Sequence, residues 1–176
     1  MKKRKYRFFV DYEKEEAWVN DMAAQGWHLQ KTFLGYFVFE QGEPGQYIYR
    51  NEWVHGRKQD YFDFLETLNI ECVTKFAGWA YYRKKTSDGP FELFTDAPSK
   101  MNSLKSMNNF FIPLALLNIL VGIFNIALGL TGSSQSFLNM SLGFFNIVAS
   151  ILLWIPILKI VKRKKRLAQT LHIFEG

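Results

Sequence analysis

From Ser106 to Leu158 the chain carries no Asp, Glu, Lys or Arg. The rest of its 176 residues is densely charged, which implies two different solvents for the two parts. Within the uncharged stretch, Phe110 to Leu130 and Phe137 to Leu158 each supply the roughly 20 apolar residues needed to cross about 30 Å of hydrocarbon. Thr131 to Ser136 make a short polar turn between them. The expectation is a transmembrane hairpin, with one helix over residues 110–130, an external turn over 131–136 and a second helix over 137–160. A helical hairpin buried in a soluble core is the ordinary alternative.

Lysines and arginines near the ends of the spans set the orientation. Lys100 and Lys105 precede the first span, and Lys159 with the run Lys162, Arg163, Lys164, Lys165 and Arg166 follows the second, whereas the turn has none. The positive-inside bias then places both termini in the cytoplasm of a multi-pass cell-membrane protein. The basic tail, 161–176, lies among anionic headgroups as a membrane-surface anchor.

The spans also resemble each other. LNILVGIFNI at Leu117 aligns with LNMSLGFFNI at Leu138, so that Asn118, Gly122, Asn125 and Gly129 match Asn139, Gly143, Asn146 and Ser150. Positions i, i+4 and i+7 share a helix face, and small residues allow close backbone approach. This pattern predicts helix packing, within the hairpin or between copies, with the amides bonding across the helix pair. A polar conduit would need ionisable residues, which the spans do not contain.

Residues 1–98 form the soluble part. Residues 1–105 hold 16 Lys/Arg and 15 Asp/Glu, so the net charge of +6 comes mostly from the tail and argues against nucleic acid as a partner. The single cysteine, Cys72, stands near Ile70 and Val73 and reads as a packed thiol. At the N-terminus the apolar run Phe8-Phe9-Val10 is too short for a secretory signal.

Residues 4–10 read as a strand, after which Asp11 caps a helix that runs to Ala24 and Gly26 stops it. WHLQKTF and GYFVFEQ follow as strands, bounded by the turn residues Gly42, Pro44 and Gly45. The same order then returns, with a strand over 46–53, a helix over 60–68, the strand IECVTKF and a strand over 79–84. At an offset of 43, Tyr6-Arg7 meets Tyr49-Arg50, and Phe33 and Gly35 meet Phe76 and Gly78. The fold class expected is α+β: a duplicated strand-helix-strand-strand domain, mostly antiparallel, its strands joined in one larger sheet with two helices on one face. A juxtamembrane linker over 99–109 joins it to the hairpin.

His28, His55 and His172 have no metal-ligand spacing, and no nucleophile, phosphate or dinucleotide motif occurs. Asp60, Asp63 and Glu66 share a helix face and read as solvated. The chain is therefore expected to be no enzyme and to need no cofactor. Aromatic residues stand out instead. In QYIYRNEW, Tyr47, Tyr49, Asn51 and Trp53 point one way, and Ile48, Arg50, Glu52 and Val54 the other. Tyr36, Arg50, Glu52, Trp53 and Trp79 are the candidate surface for a hydrophobic or cationic small molecule held by stacking and cation–π contact, or for a protein partner. The reading is a membrane-anchored cytoplasmic binding or sensing module. Its alternative is an accessory or self-associating subunit of a membrane complex, transporter-linked or stress-responsive, with the bilayer, a membrane protein or a second copy as partner.

The element order resembles gyrase-inhibitor-like domains, which implies a site for bulky, often cationic molecules between the two halves. EKEEAWVNDMAAQGWHL (Glu13 to Leu29), PGQYIYRNEW (Pro44 to Trp53) and GWAYYRK (Gly78 to Lys84) resemble a bacterial domain-of-unknown-function family, number twenty-eight twelve, often encoded beside PadR-type regulators. The resemblance implies an appended hydrophobic hairpin and, through that gene neighbourhood, a response to envelope stress, drugs or phenolic compounds. It implies no activity and assigns no site residue.

Overall fold

A computed structural model describes the backbone of residues 1–174 apart from Thr95 and Ser133, and the side chains as far as Gln169. The chain divides into two compact units, Met1–Thr95 and Asp96–Gly176.

In the first unit, β1 (Lys2–Tyr6), α1 (Tyr12–Ala24), β2 (Trp27–Phe33) and β3 (Tyr36–Gln41) are followed by β4 (Tyr47–Trp53), α2 (Gln59–Thr67), β5 (Glu71–Phe76) and β6 (Trp79–Lys85). The strands form two antiparallel three-stranded sheets, ordered β1-β3-β2 and β4-β6-β5, rather than one larger sheet. The duplication recurs in the backbone itself. Both β2–β3 and β5–β6 are joined by two residues of positive φ, Leu34-Gly35 (45° and 75°) and Ala77-Gly78 (48° and 84°). Such a pair makes the hairpin connection whose twist suits the flanking strands. Each sheet also has a register shift at the same place, between Leu29 and Lys31 and between Cys72 and Thr74.

The helices end in register at the offset of 43, but α1 has 13 residues and α2 has 9. That missing turn moves the first strands. Tyr6 pairs with Tyr36 and Trp53 pairs with Trp79, so the structural counterpart of Tyr6 is Trp53 and not Tyr49. The expected strand over 4–10 accordingly stops at Tyr6, and Asp11 caps α1 as its position suggests, accepting from the Glu13 amide at 3.2 Å.

Two cores result. Val19, Met22 and Ala23 of α1 lie with Leu29, Phe37 and Phe39 of the first sheet and Tyr49 and Tyr81 of the second. Phe62 and Leu65 of α2 lie with Ile70, Ala80, Tyr82 and Phe91. Strand alternation puts Tyr49 and Tyr81 on one face of the second sheet and Ala80 and Tyr82 on the other. That sheet is therefore covered on both sides, by α1 and by α2, which is why its strands mix apolar and polar residues on both faces. Strand β4 is nevertheless an edge. Its outward groups are paired by side chains of α1: the Tyr49 amide donates to Asn20 Oδ1 at 2.8 Å, Asn20 Nδ2 donates to the Tyr49 carbonyl at 2.9 Å, and the Asn51 amide donates to Glu16 Oε2 at 2.8 Å.

The second unit is a pair of long helices, α3 (Ala97–Gly129) and α4 (Ser136–Phe174). Residues 99–109 are the first turns of α3 instead of a linker, because Asp96 accepts from the Ser99 amide at 2.9 Å and caps the helix, and no Gly or Pro within 99–109 interrupts propagation. Likewise α4 continues through the basic run instead of ending near residue 160. Both helices are long and apolar enough to cross a membrane, and only 11% and 17% of their most apolar windows are buried. A helix hidden in a soluble core would be mostly covered.

The glycine stripe is the seam of this hairpin. A Cβ on Gly122 would lie 2.8 Å from Ile147 Cδ1 and 3.1 Å from the Gly143 carbonyl oxygen, and one on Gly143 would lie 2.8 Å from the Gly122 carbonyl oxygen. Gly129 and Ser150 are also buried, and Ser150 Oγ donates across the pair to the Ala115 carbonyl at 2.9 Å. The amides behave differently from expectation. Asn118, Asn125 and Asn146 donate to the carbonyls of Leu114, Val121 and Leu142 in their own helices. With glycine bringing the backbones together, a carbonyl one turn back is nearer than the facing helix; Asn139 is half-buried.

Replacing Asn20 with Ala removes the groups that pair the Tyr49 amide and should cost about 1–3 kcal/mol. A thermal melt of the full chain in detergent, followed by tryptophan fluorescence, should show a lowered midpoint; an unchanged midpoint would mean that solvent satisfies this edge.

Candidate functional site

The five residues proposed for a ligand surface are dispersed between packing and surface. Trp53 is 4% exposed and Glu52 is 1% exposed. Trp53 meets Trp79 edge to face with centroids 5.7 Å apart, and Tyr12 closes over Trp79 at 5.1 Å. Arg50 is held by Glu92 at 2.8 Å, by Glu16 at 3.6 Å and by the Tyr49 carbonyl at 3.1 Å. Tyr36 is exposed, on the other sheet. A continuous stacking surface made of these five does not exist; Trp53, Glu52 and Trp79 are occupied in holding the second sheet to its neighbours.

The buried carboxylates explain themselves structurally. Glu52 accepts from the Tyr61 hydroxyl at 2.6 Å and from Arg57 at 3.1 Å. Glu15 accepts from the Tyr81 hydroxyl, and Glu16 accepts from the Asn51 amide. Burial pushes the pKa of all three above the ordinary carboxylate range, while these donors pull the other way. Tyr49 is pushed up to about 12, also by burial.

His28 is buried under the loop after β3, its Nε2 at 2.8 Å from the Glu43 carbonyl, and His55 stacks on Trp53. The side chain of His172 lies outside the described residues. Among the described residues, no three His, Cys, Asp or Glu side chains come together to hold a metal ion. Cys72 packs half-buried against the α2 core, and burial raises its pKa, as befits a packed thiol.

A concavity of the first unit lies elsewhere. An open cleft of about 420 Å³ is lined by Tyr47, Glu66, Asn69, Ile70, Glu71, Arg83, Lys85 and Asp88. Local structure brings these together for definite reasons. Asn69 takes the positive φ (59°) that ends α2, as Gly26 does (80°) after α1, and turns the chain so that Glu66 and Glu71 flank one rim. Arg83 is clamped from two sides: Glu71 accepts from Nε and Nη2 at 2.8 Å each, and the guanidinium lies 4.5 Å from the Tyr47 ring centroid. Burial by itself would lower the Arg83 pKa, but Glu71 and Tyr49 together raise it, so this charge is fixed. The carbonyl end of α2 adds partial negative charge beside Glu66 and Glu71. The cleft can thus offer a ring edge, three carboxylates and two cations to a small polar or cationic molecule.

Tyr47 and Glu66 are legible in the sequence as a strand aromatic and a helix-face acid, but neither belongs to the five candidate surface residues. Glu71 and Arg83 become partners only through the β5–β6 register, in which they are paired positions. The spacing about Ala77-Gly78 sets the pairing of this hairpin only as far as Thr74, and the register shift between Cys72 and Thr74 is what brings Glu71 opposite Arg83.

The folded pKa values of Glu15, Glu16 and Glu52 lie above their ordinary 4.5. The folded chain therefore binds more protons than the unfolded one over that interval. The stability these groups contribute is complete below about pH 4.5 and is lost as pH rises through the raised values. Melts from about pH 4.5 to about pH 8 should show this downward component, and Glu15→Gln, which keeps an acceptor for Tyr81, should flatten it. A slope left unchanged by that substitution would contradict the assignment to Glu15.

A family model described as a protein of unknown function, DUF2812, matches residues 11–116, from the cap of α1 into α3. No curated protein and no solved structure matches the chain.

Proposed function

We propose, for a chain that belongs to the DUF2812 family of proteins of unknown function, that its α+β domain is a non-catalytic binding module carried on the cytoplasmic face of a cell membrane by a hairpin of two spans. The observation that carries the reading is the pairing of an open, charged cleft with two long helices whose apolar surfaces are almost entirely uncovered. The buried carboxylates Glu15, Glu16 and Glu52 support the absence of catalysis, since each is held by a tyrosine, arginine or amide within the packing and none lines the cleft. The module's ligand is a small cationic or polar molecule that Tyr47, Glu66, Glu71 and Asp88 can surround, with Arg83 and Glu71 as a rigid wall. The basic run Lys162, Arg163, Lys164, Lys165 and Arg166 continues α4 beyond its apolar part and binds anionic headgroups.

Topology is tested with single cysteines in a Cys72→Ala background. Gln135→Cys should react with a membrane-impermeant maleimide added outside intact cells, and Lys164→Cys only after permeabilisation; the reverse pattern would overturn the orientation.

Ligand binding is tested on the full chain in detergent with tetraphenylphosphonium and with spermidine, by calorimetry. Saturable binding of either is expected, weakened about tenfold by Tyr47→Ala or Glu66→Gln, as loss of a ring-edge or charged contact worth about 1.4 kcal/mol would do. Absence of saturable binding of both probes would overturn the cationic-ligand reading.

A further inference from the structure

The internal repeat supplies its own control for what a bare surface means. In the second sheet, the face bearing Tyr49, Asn51, Trp53, Trp79 and Tyr81 is covered by α1 of the preceding repeat, with Tyr49, Trp53 and Tyr81 at most 4% exposed. The matching face of the first sheet has no preceding repeat to cover it. There Tyr6 stands where Trp53 does, Tyr36 where Trp79 does and Phe33 where Phe76 does, and they are 76%, 39% and 50% exposed, Phe33 with one side of its ring against Phe76 at 4.6 Å. Phe8 and Leu34 extend the apolar patch. They are brought together by the Arg7 amide donating to the Gly35 carbonyl at 2.7 Å, and both are exposed. The rest of this face has a basic excess: Lys2, Arg4 and Lys31 are exposed, Lys2 opposite the exposed Glu40, and Arg4 and Lys31 on either side of Val38.

The far side of the domain carries a complementary surface. Helix α2 buries Phe62 and Leu65 against the second sheet and turns Phe64 and Leu68 outward, 58% and 45% exposed. Exposed acidic residues Asp60, Asp63 and Glu66 flank them, and α2 contains no basic residue. The domain therefore ends in a bare sheet face with basic and aromatic residues at one side and an acidic helix with two exposed apolar residues at the other.

We propose that α2 of a second copy of this chain docks on the outer face of the first sheet, repeating between molecules the contact that α1 makes with the second sheet within one. The internal contact shows the chemistry: acidic and amide side chains of a helix, Glu15, Glu16 and Asn20, meet tyrosine and backbone donors of the sheet. Between copies, Asp63 and Glu66 face Lys2, Arg4 and Lys31, while Phe64 and Leu68 cover Tyr6 and Phe33. The two surfaces differ, so the contact is heterologous and builds a row or a closed ring, not an isologous dimer. It needs no ligand in the cleft, although Glu66 borders both surfaces.

The test mixes two full-length chains in detergent, both Cys72→Ala, one carrying Tyr6→Cys and the other Phe64→Cys. Oxidation should yield the mixed disulfide in preference to either like pair. Lys2→Glu with Arg4→Glu on the first chain, or Asp63→Lys with Glu66→Lys on the second, should each reduce its yield by about tenfold or more, through like-charge opposition. Combining both reversed chains should restore it, a recovery that misfolding of either variant could not produce. Like-pair disulfides predominating would overturn the proposal in favour of an isologous contact. A mixed yield insensitive to charge reversal, or no cross-link in assemblies that the apolar helices hold together, would also overturn it.

Discussion

The first unit depends on one set of hydrogen bonds, those by which Asn20 and Glu16 of α1 pair the outward backbone groups of β4. A strand edge exposed to water invites pairing with another chain, and one buried without partners is costly. Here a helix from the first repeat supplies the missing partners for a strand from the second. The two repeats are thereby locked together by polar side chains as well as by the core that α1 shares between both sheets. Neither half has this arrangement alone, in keeping with the small core that a single strand-helix-strand-strand unit can bury.

That placement of α1 governs where function can lie. Because α1 covers one face of the second sheet and α2 the other, Glu52 and Trp53 are drawn inside and Arg50 is committed to Glu92 and Glu16. The open concavity moves to the end of α2 and the ends of β5 and β6, where Arg83 is held rigid between Glu71 and Tyr47. The same asymmetry leaves the first sheet bare on its outer side. Duplication by stacking, unlike duplication about a two-fold axis, always leaves one terminal face without its counterpart.

In the second unit the spacing of glycines carried most of the information. Gly122 and Gly143 meet backbone to backbone, as small residues at four-residue and seven-residue spacing on one face lead one to expect. The asparagines were legible as interface-associated and illegible as to partner. An amide at position i always has the carbonyl of i−4 within reach, so sequence cannot tell a bond within the helix from one across it.

The sequence by itself determined the separation into a charged unit and an apolar hairpin, the order of elements, their near-repeat at 43 residues, the capping role of Asp11 and the alternation of β4, because each follows from local periodicity, composition or a single turn residue. It also carried the family, through motifs in α1 and the start of β2, in β4 and in β6. Only the tertiary structure decided that the strands form two sheets instead of one, that Tyr6 corresponds to Trp53, and which aromatic residues are core. Those outcomes hang on the one helical turn by which α1 exceeds α2, and on whether a helix lies over a given face. A strand's alternation says that two faces exist, but whether water, a helix or another chain covers each is settled by packing between segments far apart in sequence.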